Sequence, residues 1–86
     1  DRQRPFFSPN KKLRFIPKKN LIIIQNAKTG ALLTCISYNK QTFDAAVLTD
    51  HGKTLIAWFI DASSETGKTA VTVDLESFYK QVVEEI

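Results

Sequence analysis

The stretch Thr69-Ala70-Val71-Thr72-Val73-Asp74-Leu75-Glu76-Ser77-Phe78-Tyr79-Lys80-Gln81-Val82-Val83 is where one structural period gives way to another. Residues 69–73 form a short burst rich in valine and threonine, the pattern of a strand. From Leu75 on, the apolar residues Leu75, Phe78, Tyr79, Val82, Val83 and Ile86 recur at three- and four-residue intervals. That spacing makes a continuous stripe on a helix of 3.6 residues per turn. Asp74 is placed to cap this helix by accepting a bond from a free N–H of its first turn. Glu76 suits the positive end of the helix dipole, whereas Glu84 and Glu85 lie at the unfavourable end. No Gly or Asn closes the helix, and the chain opens on Asp1 rather than Met. The expectation is a piece of a longer polypeptide, or a helix end satisfied by a partner.

Working back from residue 69, further bursts of β-branched and aromatic residues occupy 54–60, 42–49, 31–38 and 21–25. The joints between them hold all three glycines, Gly30, Gly52 and Gly67. Connections this short cannot contain crossover helices, so neighbouring strands should pair antiparallel. The sequence therefore predicts an α+β fold, an antiparallel meander sheet of four to five strands followed by one C-terminal amphipathic helix on one face. Alternation places Ile56, Trp58 and Ile60 on one side of their strand and Leu55, Ala57 and Phe59 on the other. In the 31–38 strand it separates Leu32, Thr34, Ile36 and Tyr38 from Ala31, Leu33, Cys35 and Ser37. Both faces are apolar. The face without the helix must then be covered by the N-terminal segment, by another subunit or by a ligand.

The composition narrows the function classes. With 86 residues, 43% hydrophobic and 24% charged, the chain is one small folded domain. Its longest apolar run is Leu21-Ile22-Ile23-Ile24, far short of the roughly 20 residues of a spanning helix. One cysteine and one histidine leave no disulfide, no zinc site and no catalytic triad. Cys35 reads as a buried free thiol and His51 as an exposed turn residue. Residues 62–69 fit a relaxed phosphate-loop pattern, but a strand rather than a helix follows, so they read as a hairpin loop. A non-enzymatic binding module without cofactor or metal is expected, in a reducing, intracellular compartment.

The net charge of +3 is unevenly spread. Residues 1–20 carry Arg2, Arg4, Lys11, Lys12, Arg14, Lys18 and Lys19 against Asp1 alone. The same segment holds Pro5, Pro9 and Pro17, each of which fixes φ and removes a donor. It is expected to be an extended basic arm (1–20) preceding a sheet-and-helix domain (21–86). Phe6, Phe7 and Phe15 lie among its charges, and basic residues interleaved with aromatics can follow a phosphate backbone and stack on unpaired bases. Alternatively, those phenylalanines dock on the domain. Lys28, Lys40, Lys53 and Lys68 fall one in each strand connection. In a meander Lys28 and Lys53 would mark one rim, Lys40 and Lys68 the other, with Tyr38 and Trp58 as stacking platforms between them.

His51-Gly52-Lys53-Thr54-Leu55-Ile56, and Gly67-Lys68-Thr69-Ala70-Val71-Thr72-Val73 running into Asp74-Leu75-Glu76-Ser77-Phe78-Tyr79, resemble the single-stranded-DNA-binding domain of the positive cofactor four transcriptional coactivators. Gln25-Asn26-Ala27-Lys28 is similar to a turn in bacterial members and in the related purine-rich-element-binding proteins. The resemblance covers residues 42–86. It implies curved antiparallel strands, contacts from Lys53 and Lys68 to a nucleic-acid backbone, and a 75–86 helix that pairs subunits. The combined expectation is a module for single-stranded nucleic acid, DNA more than RNA. Lys11, Lys12, Arg14, Lys18, Lys19, Lys28, Lys40, Lys53, Lys68, Tyr38 and Trp58 would contact the strand. Leu75, Phe78, Tyr79, Val82, Val83 and Ile86 would form a homodimer. The alternative is a protein-interaction module, such as a small inhibitor or a docking domain on a larger complex, binding through its bare sheet face or helix.

Overall fold

A computed structural model describes residues 4–83. The α+β class holds, but the strands divide between two antiparallel sheets. The first is four-stranded, in the order β1 (Phe6–Phe7), β2 (Leu13–Pro17), β3 (Ile22–Asn26) and β4 (Leu32–Ile36). The second is three-stranded, in the order β5 (Phe43–Thr49), β6 (Thr54–Ile60) and β7 (Lys68–Asp74). A 3-10 turn at Asp50–Gly52 joins β5 to β6, and α1 (Glu76–Val83) follows β7.

The single sheet expected from the short connections is split by the turn after β4. Asn39 and Lys40 both adopt left-handed φ, 47° and 57°, and Gln41 N donates to Tyr38 O at 2.8 Å. This tight reversal carries the chain off the edge of the first sheet, so β5 never pairs with β4. The sheets meet at a corner instead, where Phe43 N donates to Lys19 O at 2.8 Å. Their inner faces then cover each other. Leu13, Phe15, Ile22 and Ile24 from one sheet meet Phe43, Leu55, Ala57 and Phe59 from the other, all buried. The face expected to need a cover is thus closed by folding the strand run in two, and an outward face remains on each sheet.

The basic arm is corrected most. Residues 13–17 form β2, an interior strand, and Leu13, Phe15 and Pro17 are buried. Arg14 and Ile16 alternate with them on the outward face. Phe6 stacks on Phe15 with centroids 4.9 Å apart. Pro17 is tolerated because of ladder parity. Ser8 N bonds Leu13 O, and Phe6 lies opposite Phe15, so the N–H that Pro17 lacks would point past the end of β1. The alternation read in residues 31–38 is also interrupted. Ile24 lies opposite Thr34 but Gln25 opposite Leu32, so Leu33 bulges. The bulge turns Leu33 towards the core and leaves Leu32 64% exposed. Cys35, expected to be buried, lies opposite Ile23 on the outward face and is exposed.

The helix caps as expected, Glu76 N donating to Asp74 Oδ1 at 3.0 Å. Leu75 is fully buried, and Phe78, Tyr79 and Val82 pack on the same core. Of the stripe expected to pair subunits, Leu75 is thus buried within the chain, and Phe78, Tyr79 and Val82 are half-buried against its core. The side chain of Val83, and Ile86, lie outside the described residues.

Candidate nucleic-acid interface

Charge divides by sheet, not at residue 20. Residues 4–42, the four-stranded sheet with the segments before, between and after its strands, contain Arg4, Lys11, Lys12, Arg14, Lys18, Lys19, Lys28 and Lys40, and no Asp or Glu. Residues 43–83 contain Lys53, Lys68 and Lys80 against Asp44, Asp50, Asp61, Glu65, Asp74 and Glu76. The described part is thus +8 in its first half and −3 in its second.

The topology gathers these cations around one surface. The β1–β2 and β3–β4 turns share an end of the sheet, where Ala27 N donates to Lys12 O at 3.0 Å. Lys11, Lys12 and Lys28 stand there. The β2–β3 turn and the β4–β5 connection share the opposite end, with Lys18, Lys19 and Lys40. Between the two ends lies the outward face. Arg14 sits in it, opposite Phe7 on β1 and Gln25 on β3, and its Nη1 donates to Gln25 Oε1 at 3.1 Å. That single bond leaves most of the guanidinium donors unengaged by it. Phe7 is 45% exposed with Lys11 Nζ 5.7 Å from its ring centroid. Ile16, Ile23, Leu32 and Cys35 complete an apolar floor.

Four of the expected contact residues lie elsewhere. Lys68 makes an ion pair with the buried carboxylate of Asp44 at 2.9 Å. Tyr38 follows β4, is half-buried, packs at 6.4 Å from Phe59 and donates to Asp61 Oδ2 at 3.3 Å, so its ring is not an open platform. Trp58 stands half-buried on the outward face of the three-stranded sheet, opposite Ala45 and Ala70. Lys53 lines an open hollow of about 340 Å³ with Asn10, His51, Glu76, Tyr79 and Lys80. That hollow mixes cations with a carboxylate and favours no anion.

Asp61 anchors the β6–β7 loop. The Ser63 hydroxyl donates to its Oδ1 at 2.6 Å and the Thr69 hydroxyl to its Oδ2 at 2.5 Å, with Ser63 N adding a third bond at 3.0 Å. These donors hold its pKa down to about 2. Among the described residues no group of His, Cys, Asp and Glu converges to hold a metal. Nor is any described helix long and apolar enough to cross a membrane.

The chain matches no protein-family model, no curated protein and no solved structure. The sheet face therefore has to be read from its own chemistry. The sequence reading names Phe7 only among the aromatics of the arm, and dividing the charge at residue 20 hides the acid-free run that continues to residue 43. The signal was present, since no carboxylate occurs between Asp1 and Asp44.

Proposed function

We propose that this chain is a non-enzymatic module for single-stranded nucleic acid, and that its contact surface is the outward face of the four-stranded sheet. The observation that carries the reading is the run of eight Lys and Arg without a carboxylate, Arg14 within the four-stranded sheet and the other seven in the segments that flank its strands. Lysines at both ends of the strands bracket the face, so a backbone laid along them would meet cations at entry and exit. Arg14 would engage phosphate between them and Phe7 would offer a stacking surface for a base. Affinity would come from counterion release, which depends on the number of phosphates neutralised rather than on sequence.

The test is a salt titration with labelled single-stranded oligonucleotides, in DNA and RNA arms. Neutralising about five phosphates gives a slope of log K against log salt of roughly −3.5. Replacing Lys18 and Lys19 by Glu should weaken binding and flatten that slope, while Lys53→Glu should change either one less. Absence of binding at low salt overturns the proposal. A second reading, docking of an acidic protein segment on the same face, is favoured by its floor, where Ile16, Ile23, Leu32 and Cys35 surround a single aromatic, Phe7. It predicts capture of acidic apolar peptides without capture of oligonucleotides.

A further inference from the structure

The two sheets have four edges, and three of them are guarded. β1 is two residues long. β4 is interrupted by the bulge at Leu33, and β5 by one at Asp44, between Phe43 and Ala45. Short or bulged edges resist pairing with another chain. β7 has neither protection: seven residues, no proline, and an unbroken register with β6 from Lys68 to Asp74. Its ladder parity is fixed at both ends, because Asp61 N bonds Gly67 O and Leu75 N bonds Lys53 O. Thr69, Val71 and Val73 therefore spend their backbone groups on β6. Lys68, Ala70, Thr72 and Asp74 turn theirs away from it, towards a side where no other described strand lies. The Lys68 carbonyl is taken by the Ser64 and Thr66 hydroxyls at 2.8 and 3.1 Å. The amide groups of Ala70 and Thr72 remain as the open template, and both residues are exposed. The helix that follows does not cover them, since it turns towards the 3-10 turn, where the Tyr79 hydroxyl donates to Gly52 O.

We infer that β7 pairs antiparallel with β7 of a second copy, about a two-fold axis at Val71. The occupant is identified by charge. Lys68 and Asp74 end the strand, three residues either side of Val71. Antiparallel pairing about that residue sets Lys68 opposite the partner's Asp74, and the reverse, on the same outward face. Registers slipped by two residues lose this match. In the matched register each Ala70 exchanges both N–H···O bonds with a Thr72 across the axis, and the two valines at 71 meet on the inner side. Asp44 lies across β6 from Lys68, on the side away from the partner, so in the dimer the Lys68 ammonium exchanges the Asp44 carboxylate for the incoming one. The result is a six-stranded sheet across two copies, with the cationic sheets left free. The pairing does not depend on nucleic-acid binding.

The test combines solution mass with hydrogen exchange on the whole chain. The expected result is a concentration-dependent dimer in which the Ala70 and Thr72 amides become protected along with those of Thr69, Val71 and Val73. Thr72→Pro removes an outward N–H without touching the β6 ladder. It should raise the dissociation constant roughly tenfold or more, since a carbonyl in the interface loses its donor. A monomer at every concentration up to the millimolar range overturns the inference. So does a dimer whose Ala70 and Thr72 amides exchange as fast as exposed ones, or a folded Thr72→Pro variant that dimerises as well as the parent. The exchange measurement decides the matter even if that variant fails to fold.

Discussion

Gly52 shows how much one hydrogen atom can hold in place. Asp50, His51 and Gly52 all have positive φ, and only Lys53 returns the β5–β6 turn to the right-handed region before β6. A Cβ on Gly52 would stand 2.7 Å from Cδ and 3.1 Å from Cγ of Pro9, in the β1–β2 turn. Gly52→Ala adds that collision to a φ of +86°, whereas Gly30→Ala, at φ +79°, meets nothing within 4 Å. The second change should cost about 1–2 kcal/mol for the backbone alone. The first should cost more, and thermal unfolding of the two variants side by side measures the difference. Asp61 supplies a pH signature. Its folded pKa of about 2, set first by the Ser63 hydroxyl and then by that of Thr69, lies below the ordinary value of 3.8. Its stabilisation is therefore fully present above pH 3.8 and is lost as pH falls towards 2. The parent should lose stability across that window more steeply than Asp61→Asn, as denaturant unfolding at a series of pH values will register.

Among the elements, β2 separates what could be read from what could not. Strand β6 and the capped helix stand where period and capping placed them. Alternation in β6 was undisturbed, and Leu55, Ala57 and Phe59 went inside as a set. In Leu13-Arg14-Phe15-Ile16-Pro17 the same alternation is present, but two lysines on each side and a proline at its end disguise it. Charge belongs to the outward face and to the turns, so it says nothing against a strand. Bulges are harder still: Leu33 and Asp44 depend on where neighbouring strands happen to register, which no single segment encodes. With β2 interior, Phe15→Ala should cost about 3–5 kcal/mol. That is a large share of the roughly 5–15 kcal/mol that holds a domain together. A lowered urea midpoint is expected, whereas Lys12→Ala should stay within about 0.5 kcal/mol of the parent. An unaffected Phe15→Ala variant would return residues 1–20 to the status of an arm.

At the scale of the molecule, fold and electrostatics share a boundary. The turn at Asn39 and Lys40 that separates the sheets comes just before Asp44, the first carboxylate after Asp1. Packed sheets lie about 10 Å apart, so a polyanion at the outward face would lie nearer to the cations than to the carboxylates behind the core, and attraction would exceed repulsion. The site was legible as charge and invisible as geometry, because the reversal after β4 decides which lysines share a surface. The pairing of β4 with β3 puts the only sulfur in the chain, on Cys35 opposite Ile23, on the outward face that those cations surround. The molecule thereby carries its own attachment point for a reporter. A small environment-sensitive dye joined there should change its emission when an oligonucleotide arrives, and prior saturation with the oligonucleotide should slow the coupling reaction itself. Indifference of both signals would mean that the strand lands elsewhere.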